Sequence, residues 1–211
     1  GVNEDGLKLD KHRHLAPVVG GFDGGGEPNR EALAAVAHAA GADLDTVRGF
    51  DLCLFDLAPA RFTGLAEEFL VSARLDNLGM CHAALTGLLH AKAGEATAVV
   101  LLFDHEEVGS ESAEGAAGAF ARDLLARIVE ARPGAGGLER ALASSLLVSA
   151  DMAHAVHPSH PERSDAGHGP RLNGGPVVKT NANRRYATDG VTGAWFRRLC
   201  AESRVPCQDF V

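Results

Sequence analysis

No stretch of this 211-residue chain is apolar for long enough to cross a bilayer. The longest apolar run, residues 97–103, falls far short of the ~20 residues a spanning helix needs, and it suits a buried strand instead. Basic excess is lacking as well: 20 Lys and Arg stand against 28 Asp and Glu, a formal charge of -8. Nucleic acid requires a basic face to neutralise phosphate, and the small cluster Arg184 and Arg185 cannot supply one. Neither nucleic acid nor membrane is therefore an expected partner. The four cysteines, Cys53, Cys81, Cys200 and Cys207, include no C-x-x-C spacing, and no secretory apolar segment opens the sequence. Isolated thiols of this sort serve as small core residues in a reducing compartment, so a cytoplasmic location is expected. Internal repeats are also missing. The first residue is Gly1 rather than methionine, and the natural start is expected upstream.

What remains is ordinary for a soluble globular chain, 45% hydrophobic and 23% charged, with room for one large domain or one domain and part of another. Residues 1–28 read as irregular, with a basic Lys11-His12-Arg13-His14 stretch and a flexible Gly24-Gly25-Gly26 run. Pro28 and Asn29 signal a helix that ends near Gly41. A strand is expected over residues 50–57, closed by Pro59, and a domain seam over 60–66. Beyond it the pattern alternates as in a layered α/β domain. Strands are expected at 69–73, 97–103, 146–150 and 176–179, and another begins at Pro206. Helices are expected at 76–90, 118–132, 138–144 and 191–203, and a long polar loop at 151–173. The run 97–103 is apolar throughout, the mark of a strand covered on both faces.

Acidic residues fall beyond strands or at helix starts: Asp76, the pair Glu106 and Glu107, and Asp151. In open α/β sheets ligands gather at the carboxyl edge of the strands, and two expected strands deliver acids there. Carboxylates brought together repel, so such a cluster calls for cations. Two zinc ions ~3.5–4 Å apart, bridged by one carboxylate, activate a water for attack on an amide, and an acid that does not bind metal moves the proton. Blander readings stay open for each piece taken alone. Asp76 reads equally as a helix N-cap, Glu106 and Glu107 as a solvated turn, and the histidines at 154, 157, 160 and 168 as polar loop residues.

Three longer motifs narrow the choice. Ser72-Ala73-Arg74-Leu75-Asp76-Asn77-Leu78, then Asp104-His105-Glu106-Glu107-Val108-Gly109-Ser110-Glu111-Ser112, then Ser149-Ala150-Asp151-Met152-Ala153-His154-Ala155-Val156-His157-Pro158 resemble successive motifs of the aspartyl aminopeptidase family. Gly175-Pro176-Val177-Val178-Lys179, Arg185-Tyr186-Ala187 and Asp10-Lys11-His12-Arg13-His14-Leu15-Ala16-Pro17 extend the likeness over nearly the whole chain. The resemblance implies a three-layer α/β/α zinc-exopeptidase domain over residues 65–211, its last strands missing, and part of an inserted dimerisation domain over 1–64. It implies a metallo-aminopeptidase that releases N-terminal Asp or Glu from peptides with two Zn2+. Asp76 would bridge the metals, Glu107 would bind one zinc and Asp151 the other, and Glu106 would be the general base. Lys179 would pair with the acidic side chain of the substrate, with His14, His154 and Tyr186 as further substrate-side residues. His14 would be offered to a neighbouring subunit of a homo-oligomer, a dimer that builds a dodecamer.

The chain departs from that pattern in two places. A His-Thr-Asp motif and a C-terminal histidine, each of which supplies a metal ligand in the family, have no counterpart. The chain is therefore expected to be cut short at both ends and inactive by itself. Two rivals follow: another co-catalytic zinc exopeptidase or deacylase of the same fold, and a non-catalytic assembly protein on this scaffold.

Overall fold

A computed structural model describes residues 6–21, 27–132, 134 and 136–211. The chain is α/β and divides into two compact units, Gly1–Leu57 and Ala58–Val211. In the first unit, helix α1 (Lys11–His14) forms because Asp10 caps it. The Asp10 carboxylate accepts the backbone N–H groups of His12 and Arg13 at 3.0 and 2.9 Å. This short turn lies in a stretch expected to be irregular. The glycine run expected to be flexible, residues 24–26, lies outside the described residues. Helix α2 (Pro28–Ala39) begins with a proline at its first position, where the missing N–H has no helical partner to lose. A 3-10 turn, Leu44–Thr46, follows, and Arg30 reaches Asp45 at 2.5 Å.

The second unit opens with an antiparallel ladder, β1 (Arg61–Thr63) on β2 (Phe69–Val71), with Phe62 opposite Leu70. β1 sits where a domain seam is expected; β2 matches the expected strand. Helices α3 (Leu75–His90), α4 (Phe120–Glu130) and α5 (Leu138–Ala143) fall where the apolar periodicity puts them, and Arg122 of α4 joins Glu139 of α5 at 2.6 Å. The last elements make a parallel β-α-β unit: β3 (Val177–Lys179), α6 (Gly190–Glu202) and β4 (Gln208–Phe210), with Val178 opposite Asp209. A capping box starts α6. The Asp189 carboxylate accepts the Thr192 N–H at 2.8 Å, and the Thr192 hydroxyl accepts the Asp189 N–H at 2.9 Å. Val178 of β3 and Cys200 of α6, 6% and 5% exposed, form the core of this unit.

Three apolar runs do not become strands. Residues 50–57, 97–103 and 146–150 have no ladder partner among the described residues. Apolar composition favours burial, but a strand exists only where a neighbour satisfies its backbone groups. Residues 97–103, expected to be covered on both faces, leave Val99, Leu102 and Phe103 exposed; Leu147 in the third run is 84% exposed. Much apolar surface therefore lacks a covering layer. No helix among the described residues is long and apolar enough to cross a membrane.

Candidate functional site

The N-terminal turn of α3 carries the first candidate acid. Its N-cap is Arg74, in the left-handed region at φ 59°, and Asp76 follows with non-helical dihedrals of -84° and 110°. Its extended dihedrals set Asp76 ahead of the regular part of the helix, which starts beyond Asn77. The next residue, Asn77, was not singled out by sequence, although its amide beside Asp76 was the available signal. Its Nδ2 donates to the Ala150 carbonyl at 3.0 Å. Its Oδ1 is buried and has no hydrogen-bond partner among the described residues. A Cβ on Gly79, one turn further on, would lie 3.3 Å from Met152 Sδ, so the helix start packs closely on residues 150–152. The segments that carry Asp76 and Asp151 therefore meet at the Asn77–Ala150 bond.

Asp151 has a cation beside it. Lys179 Nζ at the end of β3 donates to Asp151 Oδ2 at 2.9 Å and to the Met152 carbonyl at 3.0 Å. The lysine side chain is 19% exposed and the aspartate 53%. Tyr186 closes the other side, its ring centroid 5.8 Å from Nζ and its edge against Phe210 at 6.5 Å between centroids. Asp151, Lys179 and Tyr186 thus occupy one neighbourhood of the second unit, beside the start of α3 that carries Asp76.

The remaining candidates lie on other segments. Glu106 and Glu107 are exposed on a 3-10 turn, Glu106–Val108, set between two left-handed residues, His105 at φ 60° and Gly109 at φ 105°. His105 Nδ1 lies 2.6 Å from the Ser112 hydroxyl, which closes this loop on itself. His154 is exposed in an irregular segment close in sequence to Asp151. His14 belongs to the first unit, where its Nδ1 accepts the Asp10 N–H at 2.9 Å.

The donor set decides what the site can hold. Among the described residues no group of three or more His, Cys, Asp or Glu side chains is placed to bind a metal ion. A catalytic zinc draws on about three protein ligands and an open position. Asp76 and Asp151 fall short of that, and one Asp151 oxygen already accepts from Lys179. The residues as arranged do not fit a complete zinc centre.

Comparison with known proteins gives the broader setting. Residues 3–211 match the family model described as aminopeptidase I zinc metalloprotease (M18). The chain is 42% identical over 209 residues to the probable M18 family aminopeptidase 2 of Pseudomonas aeruginosa, covering 98% of itself and 48% of that protein. The same holds over 208 residues for the protein of that name from Azotobacter vinelandii. The chain thus spans about half the length of the curated relatives it matches. Among solved structures, yeast aminopeptidase 1 aligns with a TM-score of 0.76 at 29% identity, over 86% of this chain and 43% of the other. An M18 aminopeptidase of Thermotoga maritima gives 0.63 at 26% identity, over 72% and 35%. Yeast mApe1, solved as a dodecamer, gives 0.75 at 29%, over 86% and 43%. The α/β architecture expected from sequence is the fold of these enzymes, and the chain belongs to the M18 family of zinc metallo-aminopeptidases.

Proposed function

We propose that this chain is part of a metallo-aminopeptidase that releases N-terminal Asp or Glu from peptides. The observation that carries the acidic preference is Lys179. A largely covered ammonium beside Asp151 is a charge reader suited to a substrate carboxylate, and family membership supplies the peptidase setting. In this reading Asp76, Glu107 and Asp151 belong to a two-zinc site and Glu106 is its general base. Lys179, Tyr186, His154 and His14 are the substrate-side residues. Residues 1–64 belong to a dimerisation domain, residues 65–211 to the peptidase domain, and the assembly is a cytoplasmic homo-oligomer of dimers built into a dodecamer. Lys179→Met in an enzyme of full M18 length tests the specificity. Cleavage of peptides beginning with Asp or Glu should fall by roughly 10- to 100-fold, the worth of a charge-assisted pair, with neutral peptides spared. Equal loss on both classes would make Lys179 structural.

A second reading is favoured by the incomplete donor set: the 211-residue chain by itself is a non-catalytic scaffold. Incubated with zinc and a chromogenic N-terminal Asp substrate, it should show no turnover. A rate within about tenfold of an intact M18 enzyme would mean that other residues complete the site, with His154 the first to examine.

A further inference from the structure

We propose that Cys200 and Cys207 form a redox-responsive pair that closes a reversible disulfide between α6 and the start of β4. The two cysteines read as isolated in the sequence, yet the fold sets them against each other. Arg197 and Cys200 are three residues apart and share one face of α6. Cys207 immediately precedes β4, and Asp209 lies within it two positions further on. Arg197 is clamped to Asp209, its Nε donating to Oδ1 at 3.1 Å. The chain reverses between helix and strand beside this clamp, and the Cys200 and Cys207 thiols are close enough to interact. The turn itself is fixed by the Val205 N–H, which donates to the Cys200 carbonyl at 2.9 Å. The remaining cysteines lie elsewhere, Cys53 in the first unit and Cys81 in α3.

The two thiols differ in access, which orders the chemistry. Cys207 is half-buried and Cys200 is 5% exposed. A low-molecular-weight disulfide of the glutathione type is the oxidant. The Cys207 thiolate attacks one of its sulfurs, forming a mixed disulfide and releasing one small thiol. The Cys200 thiolate then attacks the Cys207 sulfur, forming the internal bond and releasing the second small thiol. Two protons leave the protein thiols for the two released thiols, and two electrons pass to the oxidant. Burial holds the Cys207 thiol above its ordinary pKa, and the neighbouring Cys200 thiol adds to this. The thiolate is the attacking species, so closure should be slow near neutrality and quicken as pH rises.

The test equilibrates the 211-residue chain in mixtures of oxidised and reduced glutathione. The reaction is quenched with acid, free thiols are alkylated, and peptides are mapped by mass spectrometry. A Cys200–Cys207 peptide should dominate, with Cys53 and Cys81 alkylated. The ratio of disulfide to dithiol should exceed that of the same chain in guanidinium by about tenfold or more, because the fold raises the effective concentration of the pair. Cys207→Ser should leave Cys200 reduced. Equal ratios in native and denaturing buffer, or Cys53 or Cys81 captured as often as Cys207, would overturn the proposal.

Discussion

Exchanging Lys179 for methionine removes a charge and keeps a side chain of similar length, so its effect on stability can be worked from the contacts. The ammonium makes a charge-assisted bond to Asp151 at 2.9 Å and a second bond to the Met152 carbonyl at 3.0 Å. A charge-assisted bond between covered partners is worth ~1.5–3 kcal/mol. Asp151 is half exposed and rehydrates when abandoned, which brings that contact to about 1 kcal/mol. The carbonyl contact adds roughly 0.5 kcal/mol, and the Tyr186 ring about as much again. The sum is a loss of about 1–2 kcal/mol. With a urea slope of about 2 kcal/mol/M, the unfolding midpoint should fall by roughly 0.5–1 M with the slope unchanged. The decisive form is a double-mutant cycle with Asp151→Asn, read by urea unfolding at low and high salt. A coupling energy of ~1 kcal/mol, reduced by salt, is expected. Additive single mutants, with coupling under about 0.3 kcal/mol, would refute the ion pair as a structural element.

Other outcomes follow from the same structure. Glu106→Gln in an enzyme of full M18 length should cut turnover by ~10²–10⁴-fold while metal content stays level, and Glu107→Gln should lower zinc content; elemental analysis beside the rates separates the two. Uncovered apolar surface predicts that the isolated chain binds a hydrophobic dye and self-associates, and Leu147→Lys should reduce the light scattering. Hydrogen bonds from Thr192 hold the Asp189 carboxyl below its ordinary pKa. The α6 cap is therefore fully present above the ordinary carboxylate range and is lost as pH falls through the lower folded value. An acid melt should show Asp189→Asn less sensitive to pH below that range than the parent chain.

Local signals made the helices legible. Apolar spacing marked α3 and α4, Pro28 marked the start of α2, and the Asp189-to-Thr192 spacing is readable as a cap. Strands were legible only where a partner exists within the chain. Phe69–Val71 and Val177–Lys179 find one, whereas residues 97–103 carry the strongest apolar signal in the sequence and find none among the described residues. Pairing is a property of two segments, and composition reports only one. The candidate site divides in the same way. The motifs identified the acids, but the approach of the segments that carry Asp76 and Asp151 depends on Asn77 bonding Ala150 across 73 positions, which no local pattern announces. The Cys200–Cys207 approach was likewise invisible, because it arises where the chain reverses beside the Arg197–Asp209 clamp rather than from cysteine spacing.

The claim that residues of this chain serve an acid-selective metallo-aminopeptidase is tested most directly by joining the chain to the remainder of an M18 enzyme. Hydrolysis of matched Asp-, Glu- and Leu-terminated substrates is then measured with zinc and after chelation. The account predicts release of Asp and Glu at least about tenfold faster than Leu, abolished by the chelator and restored by zinc. Equal or faster release of Leu, or turnover indifferent to metal, would contradict it.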